Sequence, residues 1–191
     1  MNFKFGVYGD SIAFGYGTGG KSWFDILAGK QTAVKLAQNG EKIIDVLNKL
    51  KKDSNHYQIL ILAAGLNDLL QSTQNPSDCN IAATAKAYQK ILSRASKIAD
   101  KVIVQAVLPV RESLFPKQDW LDEPEWAFNI NIEKFNLILH DLASQNNALF
   151  LDLYRHFVLL PLDKLLSDAV HLNNEGQIML AKLYKDSVCR L

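Results

Sequence analysis

The chain has 191 residues, of which 48% are hydrophobic and 21% charged, and its formal net charge at pH 7 is +1. This length predicts a single domain over residues 1–191, and the near-neutral charge argues against a broad nucleic-acid-binding face. The two cysteines match no metal-binding spacing and argue against a disulfide framework. Because neither a signal-like N-terminus nor a long uncharged apolar segment occurs, we expect a cytoplasmic protein without a membrane span.

Strand-like and helix-like segments alternate along the chain. This alternation predicts a three-layer α/β/α sandwich around a five-stranded parallel sheet, with right-handed crossovers. Residues 109–126, with three prolines and two tryptophans, form either a functional loop or a packed surface excursion. The predicted strands cover residues 3–8, 32–38, 57–64, 101–108 and 148–153, and the predicted helices cover 23–30, 43–52, 81–99, 128–145 and 175–189.

The first strand ends at Gly9-Asp10-Ser11. A serine there lies at the carboxyl edge of the sheet, where open α/β sheets bind ligands. Its hydroxyl becomes a good nucleophile only when a neighbouring base removes the proton. The same string is also typical of an ordinary turn or a helix N-cap. A catalytic role for Ser11 therefore depends on the partners that the rest of the chain supplies.

A glycine-rich stretch follows, and residues 15–22 fit the phosphate-loop pattern G-x-x-x-x-G-K-S. Asp152, after the last predicted strand, would then be placed to hold magnesium through water, although a cap on that strand explains it equally well. A phosphate loop leaves its strand at the first glycine, whereas residues 10–14 intervene here. We therefore expect residues 15–20 to form a flexible rim of the site and keep nucleotide binding as the alternative.

Two later strand ends offer hydrogen-bond donors at the same edge of the sheet. Asn67 lies in Gly65-Leu66-Asn67-Asp68, directly after the most apolar strand, and Gly40 follows the second strand. A side-chain amide and a backbone N–H are both accepted donors to a developing oxyanion. Glycine and asparagine are equally common in plain turns.

A candidate base lies near the C-terminus, where Asp168 and His171 are three residues apart. That spacing lets the carboxylate reach the imidazole Nδ1–H, leaving Nε2 to act as general base. The alternative is a helix cap made by Asp168 or Asn173, with His171 on the surface. His56, His140 and His156 have no metal-ligand spacing, so we predict no metal site.

These four blocks together resemble the SGNH hydrolase family, also called GDSL esterases and lipases. The resemblance covers nearly the whole chain and implies a flavodoxin-like fold, with Ser11 as nucleophile, His171 as base and Asp168 as its orienting acid. It further implies an oxyanion hole made by the backbone N–H groups of Ser11 and Gly40 and the side chain of Asn67. The sequence departs from the family at Lys35, where many members have asparagine, and at Ile12, where many have leucine.

The function expected from this resemblance is hydrolysis of a small-molecule ester or thioester through an acyl-enzyme, without a cofactor. The other alternative is a non-catalytic binding domain of the same fold. Oligomeric state and the preferred acyl chain are not predicted. Apolar and cationic residues near the rim are the candidates for substrate contact, although ordinary loop packing also explains them: Phe14, Tyr16, Leu69, Arg111, Phe115 and Trp120.

Overall fold

The computed structural model of the chain describes residues 4–70, 81–115 and 128–188. Its centre is one sheet of five parallel strands in the order β2-β1-β3-β4-β5. The predicted α/β fold with a five-stranded parallel sheet is confirmed. The strands are β1 (Lys4–Gly9), β2 (Thr32–Ala37), β3 (Tyr57–Ala63), β4 (Ala99–Gln105) and β5 (Leu149–Leu151).

Helices connect and flank these strands. Four of them are only four or five residues long, too short for an apolar periodicity to reveal them in the sequence. No helix in the described ranges is both long enough and apolar enough to cross a bilayer. The helices are α1 (Ser11–Phe14), α2 (Trp23–Ala28), α3 (Ile43–Lys52), α4 (Leu66–Leu70), α5 (Ile81–Ala95), α6 (Phe128–Gln145), α7 (Leu153–Phe157), α8 (Leu162–Leu165) and α9 (Asn174–Val188).

The strand order determines where the chain leaves an opening. From β1 the chain moves outward to β2, then returns past β1 to β3 and continues to β4 and β5. Because parallel crossovers are right-handed, this reversal places helices on opposite faces of the sheet. Accordingly, α2 packs against α9, whereas α3, α5 and α6 pack in sequence. The reversal lies between β1 and β3, and the carboxyl edge at such a reversal is where doubly wound sheets bind ligands.

The two largest differences from the predicted boundaries both involve β4. The helix predicted over residues 81–99 ends at Ala95, and a short turn leads into the strand at Ala99. The strand predicted to continue to residue 108 leaves the sheet after Gln105, yet residues 106–110 remain buried. Burial there reflects packing beyond the sheet, which an apolar run cannot distinguish from strand pairing.

Two asparagines of α6 replace the missing strand partner of this buried segment. Asn136 accepts from the N–H of Val107 at 2.8 Å and donates to its carbonyl at 2.9 Å. Asn129, seven residues earlier on α6, makes the same pair of bonds with Val110 at 2.9 Å each. Because buried backbone groups need partners, these amides allow the chain to leave the sheet without losing hydrogen bonds.

Candidate active site

Ser11 lies immediately beyond the end of β1, as the first residue of α1. Asp10 is the N-cap of this helix, and its carboxylate accepts from the N–H of Ile12 at 3.0 Å. The turn is tight, since a Cβ at Gly9 would lie 2.6 Å from the Cβ of Ala13 and 2.7 Å from the carbonyl oxygen of Ala63. The strand end, β3 and α1 therefore approach so closely that only glycine fits at position 9. Ser11 itself is buried.

The hydroxyl of Ser11 meets a histidine from the other end of the chain. The Oγ atom of Ser11 and the Nε2 atom of His171 are 3.0 Å apart, across 160 residues of sequence. The Nδ1 atom of His171 is 2.8 Å from the Oδ2 atom of Asp168. Both distances are within hydrogen-bond range. The three side chains thus form one continuous serine–histidine–aspartate chain, the arrangement that activates a serine nucleophile.

The segment carrying Asp168 and His171 is a closed loop. Leu166 and Leu172 form an antiparallel bridge at its base, and the N–H of Ser167 donates to the carbonyl of His171 at 2.8 Å. Asn173 then begins α9 by accepting from the N–H of Gly176 at 3.0 Å. The helix-cap alternative for this region is therefore correct for Asn173, while Asp168 turns its carboxylate to the imidazole.

The Asp168 carboxylate accepts hydrogen bonds from backbone N–H groups of its own loop. Its Oδ1 accepts from the N–H groups of Val170 and His171, each at 2.7 Å. Partial burial raises the pKa of Asp168, but these backbone bonds and the bond to the imidazole outweigh it, so its pKa lies below the usual value. Asp168 consequently stays ionised under conditions in which His171 is neutral.

Asn67 and Gly40 lie on neighbouring connections at the same end of the sheet. The side-chain amide of Asn67, in α4, donates to the carbonyl of Glu41 at 3.0 Å, and the Asp68 carboxylate accepts from the N–H of Ile43 at 3.0 Å. These two bonds fasten α4 to the turn that contains Gly40. The backbone N–H groups of Ser11 and Gly40 have no hydrogen-bond acceptor among the described residues.

Three carboxyl groups adjoin these donors in the sequence. Asp10 precedes Ser11, Glu41 follows Gly40, and Asp68 follows Asn67. The pKa of Asp10 is raised to about 7, chiefly by burial and to a smaller extent by the carboxylates of Asp68 and Glu41, against the opposing bond from Ile12. Burial likewise raises the pKa of Glu41, against its ion pair with Lys49, and that of Asp68. Negative charge on these carboxyl groups is therefore electrostatically costly.

The glycine-rich stretch forms backbone hydrogen bonds within itself and to the preceding helix α1. The N–H groups of Gly15 and Tyr16 donate to the carbonyl of Ser11, and that of Gly20 donates to Gly15. A phosphate loop needs such N–H groups free to surround the phosphate. These bonds argue against the nucleotide-binding alternative. Asp152, the acidic residue of that alternative, is the N-cap of α7 and accepts from the N–H of Arg155.

Two of the expected substrate-contact residues follow α1. The ring of Tyr16 lies against the imidazole of His171, with centroids 4.3 Å apart, and the side chain is 46% exposed. The ring of Phe14 lies 5.9 Å from the Nζ atom of Lys35. Tyr16 therefore stands in the site itself, while Phe14 lies beside the lysine of β2.

The other candidates differ among themselves. Leu69 is fully buried in the core, so its expected contact with substrate is corrected: α4 turns this side chain inward. The N–H of Arg111 donates to the carbonyl of Ala169 at 2.8 Å, which places Arg111 beside the loop of His171. Phe115 packs on the ring of Phe128 at 4.8 Å. Trp120 lies outside the described residues.

Gln177 is a structural residue of the site that sequence reasoning missed. It is buried, accepts from the N–H of Trp23 at 2.7 Å, and donates to the carbonyl of Ile12 at 3.2 Å. It thereby joins α9 to the starts of both α1 and α2. A glutamine on the inward face of the last helix was the available signal, since buried amides need polar partners.

The sequence matches a known family over most of its length. The model of the GDSL-like lipase/acylhydrolase family matches residues 7–177. No curated protein was found to match the chain.

Solved structures share the fold at low sequence identity. A member of the lipolytic G-D-S-L family from Veillonella parvula is 18% identical, with 99% of this chain and 100% of that chain covered and a TM-score of 0.79. The acetyl xylan esterase AlAXEase is 20% identical, with 97% and 100% covered and a TM-score of 0.77. Axe2, an acetylxylan esterase from Geobacillus stearothermophilus, is 16% identical, with 97% and 94% covered and a TM-score of 0.77. Catalytic mutants of Axe2 at a serine, an aspartate and a histidine match as well.

Proposed function

Because this chain belongs to the GDSL-like lipase/acylhydrolase family of carboxylic ester hydrolases, we propose that it hydrolyses small esters or thioesters through Ser11, His171 and Asp168. The observation that carries this proposal is the hydrogen-bonded chain from Ser11 Oγ through His171 to Asp168, with distances of 3.0 and 2.8 Å. In Axe2 the aspartate and histidine changed in the catalytic mutants are also three positions apart, as Asp168 and His171 are.

In the first half of the proposed reaction, Ser11 Oγ attacks the substrate carbonyl carbon while His171 Nε2 takes the hydroxyl proton. The carbonyl oxygen becomes an oxyanion in the tetrahedral intermediate. As this intermediate collapses, the bond to the leaving oxygen or sulfur breaks, and His171 returns the proton to that atom. The alcohol or thiol departs, and the acyl group remains on Ser11.

Water completes the cycle by the same route. His171 accepts a proton from water as the water oxygen attacks the acyl carbon, and then returns it to Ser11 Oγ as the acid is released. Asp168 holds Nδ1 in its protonated tautomer throughout and stabilises the imidazolium that forms. Because His171 must be neutral to begin each half, activity falls when the pH is low enough to protonate it.

The oxyanion is assigned to three donors: the N–H groups of Ser11 and Gly40 and the side-chain amide of Asn67. The absence of acceptors for the two N–H groups among the described residues supports this assignment. Asn67 uses one amide hydrogen on Glu41, which fixes the direction of the amide and leaves the other hydrogen for substrate. All three follow the carboxyl ends of strands at the same edge of the sheet.

Among ester substrates, we propose that short acyl groups on a polar alcohol are tested first. Two of the fold relatives are named as acetylxylan esterases. The partly exposed ring of Tyr16 offers an aromatic surface beside the proposed base His171. Acetylated sugars therefore belong in the first substrate panel, together with simple aryl esters and acyl thioesters.

The decisive experiment is a chain-length series of p-nitrophenyl esters measured with the wild-type protein and with Ser11→Ala. We expect hydrolysis that is lost in Ser11→Ala and retained in Ser144→Ala, a control at an exposed position of α6. A fluorophosphonate probe should label the Ser11 peptide in the wild type only. Full activity in Ser11→Ala would overturn the assignment. No hydrolysis with saturable ATP binding would favour the nucleotide alternative, and neither activity would favour a non-catalytic binding domain.

A further inference from the structure

One lysine joins the two ends of the glycine loop, defined here as residues 15–20. Lys35 lies on β2, and its Nζ atom donates to the carbonyl of Phe14 at 3.2 Å and to that of Gly20 at 2.8 Å. These two carbonyls belong to the residue before the loop and the residue that ends it. A single ammonium group therefore sets the distance across the base of the loop.

The third bond of this ammonium leads away from the loop. Lys35 donates to the Oδ2 atom of Asp25 at 2.6 Å. The same oxygen accepts at 2.7 Å from the N–H of Ser22, the N-cap of α2. Partial burial raises the pKa of Asp25, but the bonds from Lys35 and Ser22 outweigh it and lower its pKa below the usual value. All three ammonium hydrogens thus have partners, and the loop is anchored to both β2 and α2.

Backbone bonds hold the start of the loop, because the N–H groups of Gly15 and Tyr16 donate to the carbonyl of Ser11, while the glycines leave the rest of its backbone permissive. Lys35 adds the tie to β2 and α2 that these local bonds do not supply. Gly15, Gly17, Gly19 and Gly20 all have positive φ, and a Cβ at Gly19 or Gly20 would meet nothing within 4 Å. Glycines in open space restrict the chain little. Thr18 adds only local bonds, from its hydroxyl to the carbonyls of Gly15 and Lys21.

Among the described residues, the aromatic ring that contacts the proposed base belongs to this loop. Tyr16 lies 4.3 Å from the imidazole of His171, centroid to centroid, with the planes 39° apart. The bond to Asp168 sets the direction of the imidazole Nδ1 atom. Tyr16, which lies against the imidazole, restrains the tilt of the ring. Displacement of Tyr16 would widen the range of angles at which Nε2 faces Ser11.

We propose that Lys35 is a positioning residue: it clamps the glycine loop so that Tyr16 holds His171 in line with Ser11. This inference rests on the proposed function. Lys35 touches no reacting atom, and its effect passes through Tyr16. The ring of Tyr16 is what matters, since its hydroxyl is not needed for the stacking contact. Losing the clamp should lower the rate of acyl transfer more than the affinity for substrate, because a misaligned base slows chemistry and leaves binding intact.

The test compares Lys35→Met, Tyr16→Leu and the double variant. Lys35→Met keeps the apolar stem and removes the three bonds. We expect each single variant to lower kcat about 10-fold with KM changed less than threefold, and the double variant to be no slower than Tyr16→Leu alone. Tyr16→Phe, which keeps the ring, should lose less of kcat than Tyr16→Leu does. Lys4→Met is the matched control, because Lys4 lies on the adjacent strand β1 and bonds to Asn55 and the Tyr57 ring.

A second readout does not depend on turnover. The ring current of Tyr16 acts on the His171 imidazole protons, so Tyr16→Leu and Lys35→Met should move those NMR resonances in the same direction, whereas Lys4→Met should not. Unchanged resonances in Lys35→Met, or additive losses of kcat in the double variant, would overturn the inference even if Ser11→Ala is inactive and the proposed function stands. If the wild type hydrolyses nothing, the resonances alone decide. Lys35→Gln replaces Lys35→Met if the latter does not fold.

Discussion

The two halves of the site are built in different ways. On the acid–base side, Asp168 and His171 belong to one short loop whose polar groups bond to one another and whose base is closed by Leu166 and Leu172. On the oxyanion side, the donors come from the ends of three strands. There the N–H groups of Ser11 and Gly40 keep no acceptor within the described ranges. The side chains of the acid–base half are therefore already hydrogen-bonded, whereas the oxyanion half keeps N–H groups without an acceptor.

This difference follows from what each half does. The imidazole must keep one tautomer and one orientation through the whole cycle, which permanent hydrogen bonds provide. The oxyanion exists only transiently, so its donors must be in place and unoccupied beforehand. An unpaired N–H is costly only where it is buried; Gly40 lies on an exposed turn, and the bond from Asn67 to Glu41 fixes the direction of the amide.

Removing the base should have the largest effect. His171→Ala leaves Ser11 without a proton acceptor. We expect kcat/KM to fall by roughly 10⁴-fold, because a triad loses most of its activity when either its serine or its histidine is removed. The measurement is a p-nitrophenyl ester assay, with His140→Ala on the exposed face of α6 as the control. Activity within tenfold of the wild type would show that another group serves as base.

On the oxyanion side, Asn67→Ala should cost about 10²–10³-fold in kcat, the usual consequence of deleting one donor. The loss should appear in kcat and leave KM nearly unchanged, because the amide is proposed to bind the transition state. Asn146→Ala is the matched control, since its amide also donates to a backbone carbonyl, that of Leu142 at 2.8 Å. A loss of thermal stability equal in the two variants, with no selective loss of kcat in Asn67→Ala, would reduce Asn67 to a structural role.

The same contrast explains what could be predicted from the sequence. The strand ends were readable as apolar runs stopped by polar residues, and in a parallel sheet such ends meet at one edge. That reasoning brought Ser11 and Asn67 to the same place without any contact being known. The three-residue spacing of Asp168 and His171 likewise predicted their hydrogen bond, because both residues belong to one short loop.

What the sequence did not reveal depends on partners far along the chain. Lys35 appeared as a departure from the family pattern, but its partners are carbonyls at Phe14 and Gly20, which any residue could supply. Asn129 and Asn136 bind backbone groups 19 and 29 residues away. Backbone partners leave no trace in residue types, so neither the clamp on the loop nor the exit from β4 could be anticipated.

A smaller effect is expected when the orienting acid is removed. Asp168 is 48% exposed, so in Asp168→Ala water can reach Nδ1 and replace part of its role. We expect kcat/KM to fall by roughly 10- to 100-fold, less than the 10⁴-fold known for a buried triad aspartate. In the wild type the pKa of Asp168 lies below its usual value, so this carboxylate stays ionised near neutral pH. The pH–rate profile should therefore show one acid limb, and a loss as large as that of His171→Ala would contradict the argument.

The last prediction tests whether charge beside the oxyanion donors is costly, and it concerns stability rather than rate. Burial raises the pKa of Asp10 to about 7 from an ordinary value of 3.8. The folded protein therefore holds this proton more tightly than the unfolded chain does. The stability that Asp10 contributes is complete below about pH 4 and is lost as the pH rises through 7. Asp10→Asn keeps an oxygen to accept from Ile12 and cannot ionise. Relative to the wild type, its free energy of unfolding should rise by on the order of 2 to 3 kcal/mol between pH 5 and pH 8.

Urea unfolding at the two pH values measures this difference, and Asp100→Asn, at an exposed position paired with His56, controls for general charge effects. A pH-independent difference between Asp10→Asn and the wild type would mean that Asp10 ionises in the folded protein as easily as in the unfolded chain. Negative charge beside Ser11 would then carry no such cost.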